Sequence, residues 1–186
     1  MCTFFTRALA EDLATEGTRA DVVIGNNVLA HVAHTNGFVQ GIRAILKDDG
    51  TTSIEAPYLR DLIDHCEFDT IYHEHLCYFS VTAVDNLFRR NGMFLNHVER
   101  IPIHGGSLRL FAGRREDVRQ SVTSLLAEEK SLGMDQPDYY RGFAERVNSI
   151  RTEMRRILSD LKSQGKRIAA YGAAAKSAIM LNAIAA

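Results

Sequence analysis

The chain has 186 residues, of which 46% are hydrophobic and 24% charged, the proportions expected of a soluble globular chain and not of a collagen-like or low-complexity one. That length accommodates one core plus an appendage, not three domains. No apolar run reaches the ~18 residues of a membrane span, and acids stand too early in MCTFFTRALAEDLA for a secretory signal.

The net charge is −1, but residues 1–78 carry 5 Lys/Arg against 12 Asp/Glu and residues 79–186 carry 17 against 11. Such a basic half either attracts an anion, a nucleotide diphosphate for example, or simply solvates helix faces. A pI near 6.7 argues against a nucleic-acid polymer as partner. Cys2, Cys66 and Cys77 form no CxxC pair, which excludes a zinc knuckle and suits a reducing cytoplasm. Each reads as a small buried hydrophobe.

In chain order, residues 6–16 read as a helix with Thr6 as cap. Val22–Ile24 in ADVVIGNNVLAHV read as a buried parallel strand running into a polar turn at Gly25, Asn26 and Asn27. Residues 36–46 suit a helix, stopped by Asp48, Asp49 and Gly50, and residues 51–56 a second strand ended by Pro57. This is a βαβ unit. Residues 81–91 read as a helix closed by Gly92. MFLNHVERIPI and SLRLFAG then form an antiparallel pair turning at His104–Gly106.

From Arg115 to Gly133 the pattern is helical. Residues 138–164 form one long helix with an apolar stripe at Phe143, Val147, Ile150, Met154, Leu158 and Leu161. A strand at Arg167–Tyr171, a turn at Gly172 and an Ala-rich helix open a second βαβ unit.

Four places carry residues suited to chemistry. In Tyr72-His73-Glu74-His75, an extended segment turns His73 and His75 to one face and Tyr72 and Glu74 to the other. Two imidazoles on one face fit a metal if His31, His34 or Glu55 joins them. One imidazole oriented by a carboxylate or phenol fits proton transfer. Asn26, Asn27 and His31 lie where the first strand ends, the rim at which doubly wound sheets bind ligands, with Glu55 and Tyr58 after the next strand. Gly105-Gly106 permits close backbone approach, and Arg109 follows on the next strand as a holder for an anion. Tyr171-Gly172 leads into a helix start with Lys176 one turn in, a phosphate-docking arrangement without the full G-x-G-x-x-G.

ADVVIGNNVLAHV, IEAPYLRDLI, FDTIYHEHLCYFS, IPIHGGSLRLF and GKRIAAYGAAAKS occur in one order that closely resembles the S-adenosylmethionine-dependent C-methyltransferases of nucleotide-linked 4-keto sugars. The resemblance covers essentially the whole chain, with YHEHLCYFS and HGGSLR its most specific parts. It implies an α/β fold: a partial class I methyltransferase (Rossmann-like) sheet with an antiparallel closing pair, then helices and a truncated second α/β unit. Residues 1–113 would be the C-terminal part of the methyltransferase domain, and 114–186 linking helices and the start of a Rossmann-like domain.

The resemblance also implies base-assisted enolate formation followed by methyl transfer. His75 would be the general base, Tyr72 and Glu74 would position the sugar, and His31 would lie at the sugar side of the cofactor. Asn26 and Asn27 are expected at S-adenosylmethionine, and Tyr78, Arg109, Gly172 and Lys176 at the nucleotide-diphosphate sugar, with no metal and no membrane involved. The alternatives are a non-catalytic nucleotide-sugar binder working through Arg109 and the Gly172 turn, and a metalloenzyme built on His73 and His75.

The chain departs from the family by lacking a cysteine-rich zinc module, a Gly-rich cofactor loop and the acidic residue that would hold the ribose. Phe4-Phe5 matches the end of the third strand of the domain. The chain therefore reads as an internal piece, impaired by itself, with Val22–Ile24 as a naked sheet edge open to self-association or to a complementary N-terminal fragment.

Overall fold

A computed structural model describes residues 3–172 and 174–185; Cys2 and the Ala173 step of the Gly172 turn lie outside them. The expected first half is present. Helix α1 (Arg7–Thr15) is capped by the Thr6 hydroxyl, which accepts the Leu9 N–H at 3.2 Å. Strand β1 (Ala20–Asn26) leads through a 3-10 turn at Leu29–His31 into α2 (Thr35–Ile45) and parallel strand β2 (Leu46–Pro57). Helix α3 (Leu59–His65), a 3-10 turn at Phe68–Thr70 and α4 (Val81–Arg90) follow. Strands β3 (Phe94–Ile101) and β4 (Ser107–Gly113) close the sheet in the order β1-β2-β4-β3, the last two pairings antiparallel.

Asp48, Asp49 and Gly50 do not stop α2 as expected; they lie inside β2. Leu46 is fully buried and draws the chain straight from helix into strand, and the β1–β2 register slips between Ala20 and Val22 to absorb the excess.

One face of the sheet carries the core. Ile54, Leu110 and Val98 meet Val39 and Ile42 of α2 and Val84, Leu87 and Phe88 of α4. On the other face the register lines up Asn26, Glu55, Arg109 and Glu99 as one cross-strand row. Beside that row Val22 and Ile24 stand 52% and 70% exposed on the edge strand: the strand is parallel as expected but not buried, since no element covers this side among the described residues, and it is the open apolar edge that the family resemblance implied.

The C-terminal third departs further from expectation. The first helix of the region, α5, covers only Gln120–Ser131, because residues 115–119 are held by Asn96, which accepts the Asp117 N–H and donates to the Arg115 carbonyl, both at 2.9 Å. The long helix is broken: α6 (Pro137–Tyr140) and α7 (Phe143–Ser163) flank Gly142, whose φ of +84° no helix continues through. The break lets Arg146 reach the Ile63 carbonyl at the end of α3 (2.7 Å). The apolar stripe of α7 is half-buried throughout.

Residues 167–171 form no strand, since a strand requires a hydrogen-bonded neighbour and none pairs with them among the described residues. Helix α8 (Ala175–Ala185) follows. Cys66 and Cys77 are free thiols, only partly buried. No helix of the described residues is long and apolar enough to cross a membrane.

Candidate active site

At the carboxyl ends of β1 and β2 lies a cavity of about 260 Å³ lined by Asn27, Ala30, His31, Pro57, Thr70, Tyr72, His75, His104 and Lys176. Five of these were singled out in the sequence. The lining arrives from five directions: the turn after β1, the end of β2, the 70–75 loop, the β3–β4 turn and the first turn of α8.

The 72–75 segment is a turn, not an extended strand; the His75 N–H bonds the Tyr72 carbonyl at 3.0 Å. The i, i+2 expectation therefore fails, and the contacting pair is Tyr72 with His75, their ring centroids 4.3 Å apart. The His73 side chain is 88% exposed and turned away. Glu74 sends its carboxylate outward as well (59% exposed), 3.9 Å from His73 Nε2. What Glu74 contributes to the site is its backbone carbonyl, which accepts the His31 Nδ1–H at 2.8 Å.

His75 is held by its main-chain neighbour. Its Nδ1 lies 2.8 Å from the Thr70 carbonyl oxygen. A carbonyl only accepts, so Nδ1 carries the proton and Nε2 the lone pair. The Tyr72 hydroxyl donates to that lone pair at 3.2 Å. His31 packs against the imidazole with centroids 4.9 Å apart. Burial lowers the His75 pKa below the ordinary histidine value, and the charges of His31 and Lys176 push the same way, against the Thr70 hydrogen bond and Glu74. The result favours a neutral imidazole in the cavity lining, with its basic nitrogen against the Tyr72 hydroxyl.

The other sequence candidates divide. Asn27, with φ of +54°, lines the cavity, and its amide donates to Glu55 Oε1 at 3.4 Å. Asn26 is exposed at the end of β1 outside the lining. Arg109 pairs with the buried Glu55 carboxylate (4% exposed) at 3.2 Å, and it does not line the cavity. Gly172 adopts φ of +127° just before α8, outside the lining, while Lys176 is within it. Tyr78 faces elsewhere, as described below.

Two contributors were missed. The Thr70 carbonyl leaves no mark in a sequence, because any residue has one. His104 belongs to the HGG turn, in which the sequence reading gave a chemical part to the two glycines and to Arg109 beyond them but not to the histidine. There Gly105 and Gly106 adopt φ of +87° and +132°, which strain any residue with a Cβ, and at Gly106 a Cβ would also overlap the Asp61 side chain packed against the turn. No three His, Cys, Asp or Glu side chains among the described residues are gathered as a metal site needs, and the metalloenzyme alternative loses its second imidazole with His73.

Residues 3–97, slightly more than half of the chain, match a family model described as a methyltransferase domain, and residues 102–185 match one described as a C-methyltransferase C-terminal domain. The chain is 36% identical over 182 residues to the C-methyltransferase NovU of Streptomyces niveus, covering 96% of this chain and 43% of that protein. It thus spans less than half the length of that relative.

Two solved structures are more distant. One is the SAH-bound magnesium protoporphyrin IX methyltransferase of Synechocystis PCC 6803 (TM-score 0.42, 17% identity, 56% of this chain and 49% of that one). The other comes from the conversion of a disulfide bond into a thioacetal group during echinomycin biosynthesis (TM-score 0.39, 16% identity, 65% and 59%). Both likenesses are too loose to bear on the chemistry of the site.

Proposed function

Because the chain belongs to the methyltransferase-domain family, we propose that it forms the substrate-facing part of an S-adenosylmethionine-dependent C-methyltransferase acting on a nucleotide-linked keto sugar in the cytoplasm. In this reading residues 1–113 are the C-terminal part of the methyltransferase domain, and residues 114–186 are linking helices and the start of the next domain.

The observation that carries the proposal is the Thr70–His75 hydrogen bond at 2.8 Å, which leaves Nε2 as a base inside a cavity that also holds a phenol and an ammonium. Carbon beside a ketone is weakly acidic. Nε2 takes its proton, the C–H electron pair becomes the enolate, and positive charge on the imidazole is balanced by the enolate oxygen. Tyr72 suits both states of the base: its hydroxyl donates to neutral Nε2 and its oxygen accepts from Nε2–H after transfer. His31, fixed through Nδ1 by the Glu74 carbonyl, lines the same cavity. Lys176 is the cation for an anionic group on the substrate.

S-adenosylmethionine supplies an electrophilic methyl group when bound; the task of this chain's residues is to generate the carbon nucleophile. Asn26 and Asn27, neutral amides at the end of β1, fit the polar edge of such a molecule as one wall only, since Val22 and Ile24 beside them are open to water. The 186-residue chain alone is therefore expected to bind S-adenosylmethionine weakly. Micromolar binding by calorimetry would contradict this. In a chain extended to the length of its relative, His75→Ala is expected to lower turnover ~10²–10⁴-fold with cofactor binding retained. Unchanged turnover removes His75 from the role of base.

A further inference from the structure

Tyr78, expected at the substrate, does not line the His75 cavity. Its ring forms part of a separate cavity of about 490 Å³, together with Leu59, Leu126, Met134 and Tyr140. Its hydroxyl points back, donating at 3.3 Å to the Thr70 carbonyl, the same oxygen that accepts His75 Nδ1–H at 2.8 Å. The Tyr78 and His75 rings meet edge to face, with centroids 6.1 Å apart and planes at 86°. From this geometry we infer that Tyr78 is a positioning residue that tunes the base through the Thr70 carbonyl, not a contact to substrate. The inference rests on the reading of His75 as the base.

A carbonyl oxygen has two lone pairs, and here each has a donor. Thr70 cannot swing away from either. Its side chain is buried, its hydroxyl donates to the Glu67 carbonyl at 2.8 Å, and its N–H donates to the same oxygen at 3.1 Å. The acceptor is thus fixed, and its electron density is divided between phenol and imidazole.

When His75 gains a proton, Nδ1–H becomes a stronger donor and looks to the carbonyl for stabilisation. Donation from Tyr78 reduces what the carbonyl can give, so the neutral base persists to lower pH. Other groups face the same ring and stay in place if only the phenol oxygen is removed. His31 comes from the turn after β1 and Lys176 from α8, both opposing protonation; Glu74 of its own loop favours it. Tyr72 meets Nε2, and His104 of the β3–β4 turn lines the same cavity.

The test is the NMR titration of the His75 imidazole in the 186-residue chain, comparing wild type with Tyr78→Phe and with Tyr72→Phe. Tyr78→Phe keeps the ring and its wall of the second cavity. It is expected to raise the His75 midpoint by roughly 0.3–0.5 pH units, with the proton of the neutral form still on Nδ1. In an extended, active chain the acid limb of the pH–rate profile moves up by the same amount and KM is unchanged. An unmoved or lowered midpoint overturns the inference, and so does a raised KM with an unmoved limb, the mark of a substrate contact. Tyr72→Phe, which removes the donor at Nε2, shows how large a change the same titration registers when a hydroxyl contacting the ring directly is lost. If His75→Ala leaves turnover intact, the reading as a base falls while the titration shift of Tyr78→Phe still stands, so the two failures are separable.

Discussion

The Thr70 carbonyl oxygen accepts the Nδ1–H of His75 at 2.8 Å, and this main-chain contact decides which imidazole nitrogen is basic. It also bears on stability. The His75 pKa is lowered in the folded state from its ordinary 6.5, chiefly by burial. Between the two values the unfolded chain binds more protons than the folded one, so the neutral ring favours folding fully above pH 6.5, and that contribution is lost as pH falls from 6.5 toward the folded value. Urea unfolding midpoints at about pH 5 and about pH 7.5 should differ less in His75→Gln than in the parent. An unchanged difference contradicts the assignment.

His73 and His75 are two residues apart and should behave as opposites. His73 is 88% exposed and does not line the cavity; its ring meets the edge of Tyr72, with centroids 6.5 Å apart. In an active chain His73→Ala should keep turnover within about twofold, whereas His75→Ala removes it. Equal losses from the two substitutions would mean that the turn opens in solution to present both rings.

Glu129 of α5 is 1% exposed, yet its carboxylate is saturated: it accepts from the Tyr58 hydroxyl (2.9 Å), the Val81 N–H (2.6 Å), and the Thr82 N–H (2.8 Å) and hydroxyl (2.6 Å). It thereby caps α4 from another element and ties both to the end of β2. Burial and this carboxylate push the Tyr58 phenol pKa well above its usual value. Glu129→Ala strands several buried donors at once and should cost about 3 kcal/mol or more in urea unfolding. A loss below about 1 kcal/mol would mean that water replaces the carboxylate.

Ile24 is 70% exposed on an edge strand beside Val22. Such an edge templates pairing with another chain. Sedimentation velocity of the 186-residue chain should show association that Ile24→Lys reduces, without loss of the helical signal. A monomeric parent chain at the same concentration would remove the edge as a pairing surface.

The strand and helix order was legible because it is local. Val22–Ile24, residues 36–46 and the two runs around HGG carry their pattern in neighbouring residues, Thr6 marks a helix start by its side-chain oxygen, and Gly92 marks a helix end by its lack of a Cβ. The strand expected at 167–171 shows where that reading stops, since its residues favour extension but pairing depends on a partner elsewhere.

The site divides in the same way. Tyr72, His75, Asn27, His31 and Lys176 were named from residue type and position, and all five line one cavity. Tertiary structure alone decided what each group does. Glu74 acts through its carbonyl because a turn rotates its carboxylate outward, and Arg109 is claimed by Glu55 because the sheet register sets them opposite. The tautomer of His75 and the role of Tyr78 both rest on the Thr70 carbonyl, a group every residue possesses. Residue identity fixes which chemistry is on hand, whereas direction and pairing follow from backbone dihedrals and main-chain acceptors that carry no letter code.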